Sequence, residues 1–155
     1  MLGYLLDTNH VGAVCGRNKR VIHRLEELPH PSGVWASVIT LGEVAASHRV
    51  TKTTNQGKRD DYEAELERLF APNALAISAA TRIYYADVMA ALFIKFGKKA
   101  ETKTERWLVE ICSVDINDVW ITAAALEHSL TLLTSDTTMR GWRSILPGLK
   151  TDCWL

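Results

Sequence analysis

The sequence predicts an α/β fold, and three observations carry that prediction. Apolar runs of strand length alternate with longer stretches whose apolar residues recur at helical spacing. No internal repeat, low-complexity tract or Pro/Gly-rich linker interrupts the alternation. At 155 residues, 47% of them hydrophobic, the chain is long enough to bury one real core, so a single domain over 1–155 is expected.

The run 2–6 is short and apolar and stops at Asp7-Thr8-Asn9, the pattern of a buried strand that delivers Asp7 at its carboxyl end. After Gly33, Val34-Trp35-Ala36 reads as a second strand. Residues 37–50 then read as a helix, with Val38, Leu41, Val44 and Ala45 apolar and Glu43 among them. Over 53–70 the spacing of Tyr62, Leu66, Leu69 and Phe70, with charges between, predicts an amphipathic helix that stops before Pro72 and solvates its charged face. Leu75-Ala76-Ile77 is a short strand, Ser78 an N-cap, and 79–96 a long helix ending at Gly97. A basic loop over 97–104 and a short helix over 106–112 follow. Asn117 is placed to cap a helix over 118–129 whose apolar face includes Ile121, Ala124 and Ala125. Residues 130–134 form another buried strand, delivering Ser135 and Asp136 just past its end, and the tail from Leu149 adds an edge strand.

Composition narrows the function. Lys plus Arg equals Asp plus Glu at 18 each, so the chain has no overall basic field to draw it to nucleic acid. Local patches remain, at Arg17, Lys19 and Arg20 and at Lys98, Lys99 and Lys103. The three cysteines, Cys15, Cys112 and Cys153, are scattered without a C-x-x-C pair, which argues against a disulfide framework or a zinc site and for a reducing cytoplasm. No apolar run approaches the roughly 18 residues of a membrane helix, and no basic stretch precedes a long apolar one at the N-terminus. The histidines, His10, His23, His30, His48 and His128, form no H-x-x-x-H pair and are expected in surface or packing roles, only His10 being near Asp7. The glycines supply no dinucleotide or P-loop fingerprint. Trp107 and Trp120 are expected in the core, and Trp142 and Trp154 in packing or contact roles.

Ligands of parallel α/β sheets gather outside the carboxyl ends of the strands, because loops and helix N-termini converge there. Asp7 and Asp136 both follow apolar strands, and Asp118 opens a helix. Each has a structural alternative: an acid in a first helical turn serves the helix dipole, and a strand-end aspartate serves a turn or cap. Glu43 lies between Leu41 and Val44 on a largely uncharged helix, where an inward carboxylate needs a partner. A metal ion would be one. Carboxylates brought together repel, raise each other's pKa and cost stability unless a hard divalent cation offsets their charge. Oxygen-only ligation points to Mg²⁺ or Mn²⁺, and such an ion suits hydrolysis of a phosphodiester.

Four segments, in this order, resemble the PIN-domain family and especially the toxin subunits of VapBC toxin–antitoxin pairs. They are Leu5-Leu6-Asp7-Thr8-Asn9, Ser37-Val38-Ile39-Thr40-Leu41-Gly42-Glu43-Val44, Asn117-Asp118-Val119-Trp120-Ile121-Thr122-Ala123-Ala124-Ala125 and Leu132-Leu133-Thr134-Ser135-Asp136. The resemblance spans nearly the whole chain. It implies a three-layer α/β/α sandwich with a mainly parallel central sheet. It also implies a cytoplasmic, Mg²⁺- or Mn²⁺-dependent endoribonuclease acting on structured RNA such as tRNA or rRNA. Its partners would be a second copy of the chain and a VapB-like antitoxin. By the same resemblance Asp7, Glu43, Asp118 and Asp136 take the acidic positions, Asp7 and Asp118 as direct metal ligands, with Thr8, Asn9, Thr134 and Ser135 in support.

The chain departs from the family pattern twice. The stretch 97–114 is longer and more basic than a short link, and Asp115 is an extra acid that competes with Asp118, although the run after Asp118 favours the latter. Three alternatives stay open at this point: a PIN-type nuclease for RNA processing or DNA flaps, a receiver-like regulatory domain, and a module that only binds. The receiver lacks support in an adjacent acidic pair near the first strand.

Overall fold

The computed structural model describes residues 3–29, 33–50, 56–97 and 115–155. The expected basic loop beyond Gly97, the short helix over 106–112, and His30, Trp107 and Cys112 lie outside the described residues. Five strands form one parallel sheet: β1 (Tyr4–Leu6), β2 (Val34–Ser37), β3 (Ala74–Leu75), β4 (Thr131–Leu133) and β5 (Lys150–Asp152), in the order β3-β2-β1-β4-β5. The helices are α1 (Thr8–Cys15), α2 (Lys19–Glu26), α3 (Val38–Val50), α4 (Gln56–Phe70), α5 (Thr81–Lys95), α6 (Ile116–Glu127) and α7 (Thr137–Gly141). A receiver has strand order 2-1-3-4-5, so this sheet excludes that alternative.

Alternate residues of a strand point to opposite faces, and both faces of this sheet are covered. Leu5 and Leu132 pack with Val88, Leu92, Val119, Ile121 and Trp142 of the α5–α6–α7 side. Leu6 and Leu133 pack with Val11, Val21, Val44, Leu66 and Phe70 of the α1–α4 side. The result is the three-layer α/β/α sandwich. All four leucines are fully buried, each worth about 1.5–3 kcal/mol relative to exposure.

Trp142 and Trp154 are core residues, each almost fully buried, whereas Trp120 is half-buried and stacks on Tyr85 across α5 and α6 with ring centroids 4.0 Å apart. Aromatic count alone does not rank which rings reach the interior; strand and turn geometry does. Ser78 is not the N-cap of α5, a position Ala80 takes without a side-chain cap, but stands two residues ahead of it. Its hydroxyl accepts from Ala80 N and Thr81 N, and α5 begins at Thr81. At the far end of α6, Ser129 takes φ 55° so that Leu130 N–H can donate to Ala125 O at 2.9 Å and turn the chain into β4.

Candidate active site

Because the strands are parallel, their carboxyl ends share one edge of the sheet. Leu6 and Leu133 stand side by side in register, so Asp7 and the segment Thr134-Ser135-Asp136 leave the sheet together, joined by Asp7 N–H donating to Leu133 O at 3.0 Å.

Asp7 is buried and caps α1. Its Oδ1 accepts from the backbone N–H of His10 and pairs with His10 Nδ1, each at 2.8 Å. His10 Nε2 accepts from Trp154 N–H at 3.2 Å, which places the ring proton on Nδ1 and makes the ring a donor to Asp7. Two donors thus fix one carboxylate oxygen and leave the other for a ligand. His10 is fully buried, and its bridge from Asp7 to the C-terminal segment has no trace in the sequence beyond its i+3 spacing from Asp7.

Glu43 projects from α3 and ties the starts of two other helices to it. Thr8 Oγ1 donates to Glu43 Oε2, and Asn117 Nδ2 donates to Oε1 at 2.7 Å. The half-buried carboxylate has found neutral donors as partners. Asn117 is therefore not the cap of α6. That work falls to Asp115, whose Oδ1 accepts from Asn117 N at 2.7 Å and Asp118 N at 3.2 Å, while Asp118 Oδ2 accepts from Asp115 N at 3.0 Å. The reciprocal pair is a capping box, and it starts α6 at Ile116, two residues before the expected position.

Asp118 has this structural duty and an unusual environment besides. Burial pushes its carboxyl up to about 6. The Asp115 N–H bond opposes the rise, and the charges of Asp115, Glu43 and Asp136 add to it. Asp136 is the N-cap of α7, its Oδ1 accepting from Thr138 N at 2.6 Å and Met139 N at 3.2 Å. Thr134, fully buried, accepts from Asp136 N with its hydroxyl at 3.0 Å, and Ser135 Oγ accepts from Asn9 Nδ2 at 3.2 Å.

The expected residues therefore meet at one edge. Asp118 feels Glu43 and Asp136 directly, and Asp7 joins them through its neighbours Thr8 and Asn9. Among the described residues, no lysine or arginine forms an ion pair with Asp7, Glu43, Asp118 or Asp136. The Arg17–Lys19–Arg20 patch lies beyond the C-terminal end of α1, which runs away from Asp7 for eight residues, roughly 12 Å. The donor set, all carboxylate and hydroxyl oxygen, fits a hard divalent cation. Among the described residues no three acidic, imidazole or thiol groups already converge into a cage.

The family model described as "PIN domain" matches residues 4–141. The chain belongs to the PIN-domain family. PIN domains are nucleases. Among solved structures, the chain is similar to FitAcB from Neisseria gonorrhoeae, at 25% identity and TM-score 0.68, over 96% of this chain and 95% of that one. It also resembles DNA-bound VapBC from Salmonella typhimurium, at 21% identity and TM-score 0.70, over the whole of both chains. VapBC2 from Rickettsia felis, solved with a promoter DNA fragment, is 21% identical with TM-score 0.68, again over the whole of both chains. The latter two are likenesses of fold. No curated protein matches the sequence.

Proposed function

We propose that this PIN domain is a Mg²⁺- or Mn²⁺-dependent endoribonuclease, the toxin of a type II toxin–antitoxin pair, which hydrolyses structured RNA such as tRNA or rRNA. One observation carries the nuclease site. Asp118, Glu43 and Asp136 share an edge with Asp7, without a lysine or arginine partner among the described residues, and Asp118 holds its proton up to about pH 6. Uncompensated negative charge of this kind costs stability, and a divalent cation offsets it. The toxin assignment draws support from the toxin–antitoxin complexes among the structural neighbours.

Asp7 and Asp118 would hold the cation. When bound, it supplies Lewis-acid chemistry, lowering the pKa of water and stabilising charge on the phosphate. The chain does the rest by positioning. His10 fixes the Asp7 carboxylate, and Thr8 and Asn117 hold Glu43 where it can orient a water and take its proton. Attack by that water forms a new P–O bond, the bond to the leaving ribose oxygen breaks, and that oxygen takes up a proton.

A VapB-like antitoxin and a second copy of the chain are the proposed partners, in the cytoplasm. On α5, Ile83 and Ile94 are 58% and 65% exposed and stand eleven residues, three turns, apart on one face with the exposed Asp87 between them, a mixed surface offered to a partner. Incubating the purified chain with total RNA and Mg²⁺ tests the nuclease: cleavage is expected, and its persistence in Asp7→Asn or in excess chelator would falsify the metal mechanism. Preference for a DNA flap over RNA would replace the substrate. Growth arrest on expression, relieved by the protein encoded beside it, tests the toxin role.

A further inference from the structure

One strand outward from Asp136, at the same carboxyl edge of the sheet, α7 and β5 enclose a cavity of about 490 Å³ lined by Thr137, Arg140, Arg143, Thr151 and Asp152, among others. Two buried polar atoms of these lining residues, Arg140 Nε and Thr151 Oγ1, have no hydrogen-bond partner. Buried polar groups are nearly always paired, because an unmade bond leaves the whole desolvation cost standing. Arg140 Nε can only donate and the Thr151 hydroxyl can donate as well as accept, so one acceptor would satisfy both. Asp152, in the same wall, does not supply it: its Oδ1 accepts from Cys153 N at 2.7 Å and its Oδ2 from Trp154 Nε1 at 3.1 Å. Arg143 adds a second, exposed guanidinium. An acceptor that carries negative charge and matches a guanidinium fork is a phosphate oxygen.

We propose that this cavity is a subsite for a backbone phosphate of the nucleic-acid chain, flanking the bond cut at the carboxylates. The inference rests on the nuclease function proposed above. The two sites are coupled by α7 itself: Asp136 caps its start, and Arg140 N–H donates to Asp136 O at 3.1 Å, one helical turn or about 5 Å further on. The same subsite answers the objection raised by zero net charge. A nuclease with no overall basic field needs local cations beside its acids, and Arg140 and Arg143 stand there, where the Arg17–Lys19–Arg20 patch does not.

The test uses the full chain and a labelled single-stranded 12-nucleotide RNA of mixed sequence. Binding is followed by anisotropy in Ca²⁺ from 50 to 200 mM KCl, and cleavage by steady-state kinetics in Mn²⁺. Arg140→Gln should flatten the slope of log affinity against log salt by about 0.7, the increment for one phosphate of a single strand. Arg140→Gln should also raise KM roughly ten-fold, as loss of a charged hydrogen bond does, with kcat within about two-fold. Thr151→Val, which removes the hydroxyl and keeps the shape, should raise KM without changing the slope. Neither Arg140→Gln nor Thr151→Val should lower Tm, since the deleted donor has no protein partner to lose. Wild-type slope and KM in Arg140→Gln, beside an active wild type, overturn the subsite alone. A wild type that neither binds nor cuts RNA overturns the nuclease reading and the subsite with it.

Discussion

Replacing Asp118 by Asn should make the metal-free chain more stable and silence it in the same step. Burial, with the charges of Asp115, Glu43 and Asp136, raises the Asp118 carboxyl from the usual 3.8 to about 6 against the opposing Asp115 N–H. The folded chain thus binds this proton more tightly than the unfolded chain. Its stabilising contribution is complete below about pH 4 and is lost as pH rises through about 6. A displacement of roughly two pH units is worth about 3 kcal/mol at most. Asp118 is only partly buried, so solvent screening brings this down to ~1–2 kcal/mol. Asn keeps an oxygen for Asp115 N–H, preserving that half of the capping box, and removes the charge. In chelator at pH 8, the variant's Tm should therefore rise by roughly 3–8 °C, and at pH 4 it should match the parent. Millimolar Mn²⁺ should raise the Tm of the parent at pH 8 and leave that of the variant unmoved. An equal gain at pH 4 and pH 8, or a loss at pH 8, would show that Asp118 is a cap and nothing more.

Three further outcomes follow from named contacts. His10→Asn keeps a donor near Nδ1 for Asp7, whereas His10→Gln keeps a group near Nε2 for Trp154. The Asn variant should hold activity within a few-fold and lose Tm, and the Gln variant should lose about 10–100-fold in cleavage and in Mn²⁺ affinity; equal behaviour of the two refutes a positioning role. Asp115→Ala should cost about 1 kcal/mol in urea titration through the lost cap. By removing one charge beside Asp118, it should also shift the acid limb of the pH–rate profile to lower pH. Ser129→Gly should add about 0.5–1 kcal/mol, read from the urea midpoint, because φ 55° strains any residue with a Cβ.

The sequence by itself determined the elements and the acids. Short apolar runs ending in Asp7 and in Ser135-Asp136 read as buried strands with polar carboxyl ends, and all five strands were legible to within a residue or two. The order of the four motifs was enough to name the family. Local spacing also showed that Asp118 opens a helix, but not which neighbour caps it. Asp115 and Asn117 are both good caps; Asp115 takes the role through the N–H groups of Asn117 and Asp118, while the Asn117 amide is held by Glu43, 74 positions away. The helices α1 and α2 are absent from the elements expected from sequence, although Asn18 caps α2 and Val21, Ile22 and Leu25 lie at helical spacing behind it.

What only the tertiary structure decided are the contacts between distant segments. His10 looks like any packing histidine until parallel pairing of β4 and β5 carries Trp154 over it and converts it into a fixed donor to Asp7. Arg140 and Thr151 belong to different elements, and nothing in their separation along the chain announces that both leave a donor unpaired beside one cavity. The reason is physical. Periodicity and capping are local properties that a sequence states outright, whereas desolvation, orphaned donors and mutual repulsion of carboxylates exist only once the chain has brought its parts together.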